Sequence, residues 1–370
     1  MIQAPAVSLQ PTIDRIEHGP VNETVSGTLA RGLRRSAMFE VIALTAPNEP
    51  IQTRVIAIND AGVACGLRAV SRGRTMPALW SPNGLGRLLP CGPYGGGALA
   101  INSRGEAVGY EYVSSSRDRR RAVAWINGEF VVLPGLNGSA DSSDAVAAAI
   151  NADGVIGGRS DGRYLLWTPN GARGFVAKDI PARFSSFFGP NDTGSVVGRI
   201  GLPEQGDQQR LGFWHRTGVS QRAFPAVDGT FRYYVTGLNG LDQVLITGSD
   251  DRYDDLGWFS IVSDRREIVV DRRSRGLRLY AHDLNDAGTV VGRAERSDGD
   301  GFPFLWTAGE PVDLNRLVPE DAGVTVFTAM GINNRGAILA IADDSAGSEH
   351  QVLLMPVHPC QPRDENGERR

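Results

Sequence analysis

The six-residue stretch AINDAG at 57–62 returns six more times along the chain. The later copies are AINSRG (100–105), AINADG (149–154), GPNDTG (189–194), GLNGLD (237–242), DLNDAG (283–288) and GINNRG (331–336). Successive asparagines, from Asn59 to Asn333, lie 43, 49, 40, 48, 46 and 48 residues apart. A period of this length marks an array of supersecondary units, each too small to bury its own faces and completed by its neighbours. Six copies place a glycine three residues after the asparagine, and the fifth has Asp242 there. Asn folds back on its own backbone and Gly accepts positive φ, so Asn-x-x-Gly reads as a tight reversal between strands.

Each turn is followed by a short apolar run that ends on a small residue, as in VACG up to Gly66 or VVG up to Gly292. Gly248 arrives two residues late, and Ala340 takes the place of glycine in the last copy. A polar segment of variable length comes next, then an apolar strand carrying an aromatic. All six tryptophans, Trp80, Trp125, Trp167, Trp214, Trp258 and Trp306, fall on this beat and read as packing between units. Turns such as SPNG and TPNG then lead to a fourth apolar run, a hairpin signal. The expected fold is all-β: a seven-bladed β-propeller of four-stranded antiparallel blades. A superhelical solenoid is the competitor, and the chain ends argue against it. The seventh copy stops after its third strand, HQVLLMPV (350–357), and MFEVIAL (38–44) is available to supply the fourth. That arrangement closes the ring and removes both free edges. The span 36–357 divides into seven units of 46 residues.

The ensemble pattern, A-x-(A/G)-I-N-x-x-G-x-V-V-G followed by an A-F-L-W-like strand and x-G, resembles the HAF repeat family of bacterial β-propeller-type proteins. The resemblance covers nearly all of 36–357. It implies a propeller and leaves function open, since one fold hosts many functions. Copies four and five depart most, with Pro190 for Ile and Asp242 for Gly.

Composition narrows the functional classes. A net charge of −4 argues against a dedicated nucleic-acid binder. No apolar run is long enough for a membrane helix, and the N-terminus shows no signal-peptide pattern. Cys65, Cys91 and Cys360 have no metal-ligand spacing and fit a reducing compartment, so a cytoplasmic location is expected. Lys178 is the sole lysine, which removes most lysine-based chemistry. Residues 1–35 read as an arm with a short helix capped by Asn22, and 358–370 as a disordered polar tail.

The candidate chemistry lies near the axis. The loops between second and third strands are polar, unequal and rich in Arg and Asp, whereas the Asn-x-x-Gly turns are short and uniform. The loop face is therefore expected to bind. Two residues before each Asn stands Ala57, Ala100, Ala149, Gly189, Gly237, Asp283 or Gly331, so Asp283 alone breaks a column of tiny residues. His282 reads as a general base oriented by Asp283; the competing reading has Asp283 bonded to backbone in a watery channel. Phe188, Tyr233, Tyr234 and Tyr280 are expected to form an aromatic wall on blades four to six beside Asp283. Arg159, Arg199 and Arg293 recur at one level and suit a carboxylate or phosphate, or are surface arginines.

No cofactor and no metal site is expected. Calcium is left open at DDRYDD (250–255) and SDGDG (297–301), neither of which has the twelve-residue loop pattern. GRSDG (158–162) matches G-x-S-x-G but lies between two strands rather than before a helix. Three functions fit. One is a binding propeller for a small molecule, glycan or peptide. The second is a cofactor-free hydrolase, lyase or cyclase using His282 and Asp283. The third is a structural ring that docks proteins.

Overall fold

Seven antiparallel sheets follow one another along the chain, each built from strands consecutive in sequence except the last. The computed structural model describes residues 38–44, 53–70, 73–136, 144–171, 174–180, 186–200, 210–215, 218–223, 232–249, 257–263, 267–271 and 275–357. The arm (1–35) and the tail (358–370) lie outside these residues. The first blade comprises Thr53–Ile58, Ala64–Val70, Arg74–Trp80 and Gly86–Leu88, and the Asn-x-x-Gly reversal joins its first two strands. The glycine of that reversal has φ between 74° and 80° in six blades, and Asp242 adopts 59° in the fifth. Blade four is reduced among the described residues. Its sheet is Val196–Ile200, Arg210–His215 and Gly218–Ala223, and Phe188 makes a lone bridge to Val197 where an inner strand would run.

The seventh blade orders Val324–Ile332, Ile338–Asp344, Glu349–Pro356 and then Phe39–Ala43. The N-terminal strand pairs antiparallel from Phe39 opposite Pro356 to Ala43 opposite Val352. The first strand of the domain is therefore the outer strand of the last blade, as the unpaired chain ends require. Gln351 spans the seam to the first blade, accepting from the Val55 amide at 2.5 Å and donating to its carbonyl at 3.3 Å.

The core lies between blades rather than within them. One cluster joins Phe259 and Ile261 of blade five to Leu279, Phe304 and Trp306 of blade six, and another joins Val108 of blade two to Ile156, Leu165 and Trp167 of blade three. Five of the six tryptophans are no more than 6 % exposed, which fits the packing role of the repeated aromatic. Trp258 departs from its expected place. It opens its third strand opposite Gly248, whereas Trp306 closes its own opposite Val290. A Cβ on Gly248 would collide with the Trp258 ring, so the late glycine and the early tryptophan are one adjustment.

In six blades the inner strand carries a β-bulge just before the column of small residues, for example between Val55 and Ala57 and between Ala281 and Asp283. The bulge presses an inner-strand carbonyl against the second strand. A Cβ at Gly66, Gly109, Gly158 or Gly292 would collide with that carbonyl, which explains the glycine ending the apolar run in those four blades. His282 is the bulged residue of blade six.

Candidate functional site

The seven asparagines form a closed circle at one mouth of the axis. Each Nδ2 donates to the main-chain carbonyl of the next blade's asparagine, at 2.7–3.2 Å. The last of these bonds, Asn333 to Asn59 at 2.8 Å, closes the ring. Each Oδ1 accepts from its own turn, as when Asn59 takes the amides of Ala61 and Val63 at 3.1 and 2.9 Å. Every asparagine is at most 8 % exposed. Both ends of the side-chain amide are thus engaged, which an ionised Asp, having no donor, would not achieve.

Above this ring lies a recess of about 270 Å³. Its collar is the apolar residue before each asparagine, such as Ile58, Ile101 and Leu284. Its rim is the residue after each asparagine, including Asp60, Ser103, Asp192 and Asp286. Asp283 also lines it. The recess thus sits on the Asn-turn face, opposite the loop face favoured by the variability of the loops. Uniform turns are what a seven-membered hydrogen-bonded circle demands, so their regularity reflects that frame rather than the absence of a site.

Asp283 reaches the axis and also crosses to the next blade. Oδ1 accepts from the Leu284 amide at 2.9 Å, and Oδ2 from the Ile332 amide of blade seven at 2.9 Å. Protein surrounds it except at the recess, and this desolvation raises its pKa to about 6 against the pull of the two amides. His282 turns elsewhere. Its Nδ1 lies 2.7 Å from the Ala329 carbonyl, which can only accept, so that nitrogen carries the proton. Burial lowers the His282 pKa and the carbonyl opposes this. The two side chains are not hydrogen-bonded to each other; the bulge gives each its own partner on blade seven.

The aromatic residues do not join Asp283 in one wall, because they belong to packing levels away from the recess. Phe188 and Tyr233 pack into the core between blades four and five, with Tyr233 edge-on to Trp258 at 6.1 Å. Tyr280 donates to Glu295 Oε2 at 3.0 Å, and Tyr234 is partly exposed on the inner strand of blade five. Arg159 pairs with Asp144 at 3.3 Å. The amide of Arg199 donates to Ser186 Oγ at 3.2 Å. Arg293 donates to the Phe327 carbonyl at 2.8 Å and stacks 3.9 Å over that ring. None of these residues lines the recess. The loop segments 201–209 and 250–256, which include all of DDRYDD, lie outside the described residues.

Other sequence candidates have structural settings. Ser160 is buried and precedes a hairpin turn with positive φ at Asp161 and Gly162, not a helix. In SDGDG, Asp298 caps its own turn by accepting from the Asp300 amide at 3.0 Å. No group of three His, Cys, Asp or Glu suited to a metal occurs among the described residues. Burial pushes the thiol of Cys65 up to about 12 and that of Cys91 to about 11, so neither is poised as a nucleophile. No helix among the described residues is long and apolar enough to cross a membrane.

One polar cluster escaped the sequence reading. Asp242, at the glycine position of the fifth turn, reaches back to blade four and accepts from Asn191 Nδ2 and Thr193 Oγ1, both at 2.7 Å. Thr193 lies 2.9 Å from Ser195 Oγ, which lies 2.7 Å from His215 Nδ1. Burial disfavours the charge on Asp242, but hydrogen bonds from Asn191, Thr193 and Ser195 outweigh it and lower the pKa. Ser195 is 3 % exposed and the carboxylate does not orient the imidazole, so this is not a nucleophile with its base. The signal was the lone non-glycine in the turn.

No protein-family model matches the chain, and no curated protein matches it. Among solved structures it is similar to the β-propeller domain of the Trilobed protease from Pyrococcus furiosus, a domain with an open velcro topology. The TM-score is 0.55 at 11 % identity, covering 82 % of this chain and 93 % of that one. A post-proline cleaving enzyme from Rickettsia typhi matches with TM-score 0.49 at 10 % identity, over 80 % of this chain and 50 % of that one. Virginiamycin B lyase from Staphylococcus aureus matches with TM-score 0.46 at 10 % identity, over 86 % and 99 %. At these identities the likeness concerns the propeller fold alone.

Proposed function

We propose that this chain is a ligand-binding propeller whose site is the axial recess on the Asn-turn face, and that its ligand is a small polar molecule. The observation that carries this reading is a concave, mostly polar cavity seated on a fully hydrogen-bonded ring, with the uncompensated carboxylate of Asp283 opening into it. Ligand sites are concave, largely preformed and furnished with a few placed polar groups. At about 270 Å³ the recess suits a ligand near the small end of that class. The resemblance to HAF repeats is compatible with a ring that carries its specificity in a few variable positions. The enzyme reading has one supporting observation, the raised pKa of Asp283. It lacks a second group hydrogen-bonded to that carboxyl to complete an acid–base pair.

The test is a thermal-shift screen of small polar compounds against the full chain and against Ala152→Trp. Ala152 lies on the rim, and an indole there fills the mouth. Binding raises the melting temperature with ligand concentration. Hits should vanish in Ala152→Trp and survive in Tyr112→Ala, which lies outside the recess. Hits that survive the blocked mouth would place the site elsewhere.

A further inference from the structure

The rim of the recess is a hydrogen-bonded circuit with gaps. In a completed step, the amide of the residue after one asparagine donates to the side chain of its counterpart in the next blade. Ala152 donates to Asp192 Oδ1 at 2.8 Å, Gly240 to Asp286 Oδ1 at 2.6 Å, Asp286 to Asn334 Oδ1 at 2.8 Å and Asn334 to Asp60 Oδ1 at 2.8 Å. Three of the seven steps are missing among the described residues: the Asp60 amide makes no bond to Ser103 although a hydroxyl is there, and two others face a residue with no side-chain acceptor. Ser103 faces Ala152, and Asp192 faces Gly240, so those two amides meet no acceptor among the described residues.

The mouth also holds spare acceptors. Asp192 and Asp286 each commit Oδ1 to the rim and leave Oδ2 open. Asp283 gives one lone pair of each oxygen to an amide and retains the others. In a ring of seven, blade six stands across from the gap between blades two and three, so Asp283 faces Ser103 over the recess. Among the described residues that line it there is no Lys, Arg or His. The charged groups of the walls are therefore all negative, and the open Ser103 amide lies across the recess from the Asp283 carboxylate.

We propose that the recess is built for a small hydroxylated primary amine, with its ammonium on the carboxylates of blades four to six and a hydroxyl or carbonyl oxygen on the Ser103 amide. This rests on the recess being the binding site. An ammonium is a compact cation with three donors, and the recess lining supplies carboxylate oxygens from Asp192, Asp283 and Asp286. An anion would meet like charge with no cation to offset it. An apolar molecule would strip water from carboxylates and amides and return nothing.

The test is calorimetric titration of the full chain with three sugars of one shape and different charge: glucosamine, glucose and glucuronate, at neutral pH and low salt. Glucosamine should bind at least about tenfold more tightly than glucose, and glucuronate should not bind. Asp192→Asn and Asp283→Asn should each weaken glucosamine at least about tenfold and leave glucose nearly unchanged, with thermal melts run alongside to show the fold is retained. Ser103→Pro, read against Ser103→Ala to subtract the hydroxyl, removes the amide hydrogen at a turn position where proline is favoured. It should weaken glucosamine and glucose alike. A flat charge series, tighter binding of glucuronate or no binding by any of the three overturns the amine assignment. Binding that persists in Ala152→Trp instead overturns the recess as the site.

Discussion

The seams between blades six and seven and between blades four and five are built from different materials. At the first, side chains of blade six bond along the exposed edge of the blade-seven inner strand. Arg293 takes the carbonyl of Phe327, His282 that of Ala329 and Asn285 that of Asn333, while Asp283 takes the amide of Ile332. They act as a strand made of side chains, alongside an inner strand bent by two bulges. At the second, among the described residues blade four offers only the Phe188 bridge on its inner strand, and side chains of Asp242, Thr193, Ser195 and His215 form a polar cluster at the turns. In both places the repeat consensus is broken where the ladder is incomplete. Departure from a repeat therefore signals repair of a seam as readily as a reactive site. Only the six–seven repair also opens on the recess.

The largest effect should come from removing the strand that makes a seventh blade complete. Deleting residues 1–44 exposes the Glu349–Pro356 edge and removes Phe39 and Leu44 from the core. The loss should be comparable to the whole stability, about 5–15 kcal/mol, and visible as a lost cooperative melt. A truncated chain melting within a few degrees of the full one would show that the ring holds without closure.

Asn333→Ala cuts the circle at its closing bond and strands the amides of Arg335 and Ala337. It should cost about 1–3 kcal/mol in denaturant unfolding, much as Asn191→Ala should at the four–five seam. A clearly smaller cost at Asn191 would show that Asp242 carries that seam.

Asp283→Ala should cost about 1–3 kcal/mol, because the Ile332 amide loses its acceptor, although three blades carry alanine at this position. The effect depends on pH. The folded state holds the Asp283 proton up to about 6, above the ordinary value of 3.8. Its contribution is therefore most favourable below about pH 4 and falls as pH rises to about 6. The other charged groups lining the recess are Asp60, Asp192 and Asp286, and like charge acts in the same direction. Asp283→Asn should flatten the profile by on the order of 1–2 kcal/mol, with water in the open recess reducing the full linkage. An unchanged profile would mean that this carboxyl titrates as a solvated one.

The smallest effect belongs to Asp242→Gly, which restores the consensus turn. It relieves about 1 kcal/mol of left-handed backbone strain and gives up hydrogen bonds to Asn191 and Thr193 worth a similar amount. Melting should shift by only a few degrees. A large loss would promote the four–five cluster to an essential clamp.

The architecture was readable because its causes are local. Positive φ at the turn favours Gly62 and its equivalents, the bulge excludes a side chain at Gly66, Gly109, Gly158 and Gly292, and a missing last strand points to the first. The site was harder to read because it depends on closure. The asparagines look like turn residues, a role Asp or Ser would also fill. The clue was that all seven are Asn, the side chain that accepts within its own turn and donates to the next one. Likewise, simple alternation along a strand sends His282 and Asp283 to opposite faces. The bulge, which no single residue announces, redirects both toward blade seven.

The asparagine circle has an electrical consequence. Seven uncharged side-chain amides, each donating to the main-chain carbonyl of the next asparagine, have in-plane dipole components that cancel around the axis and add no net charge to the mouth. The potential felt there is then set by the rim, one residue per blade, at positions where Asp, Ser, Ala, Gly and Asn are all already in use. Those seven positions can change charge and hydrogen-bonding sense without disturbing a bond of the circle beneath them. The ring behaves as a neutral socket, and its rim is the part open to being rewritten for a different guest.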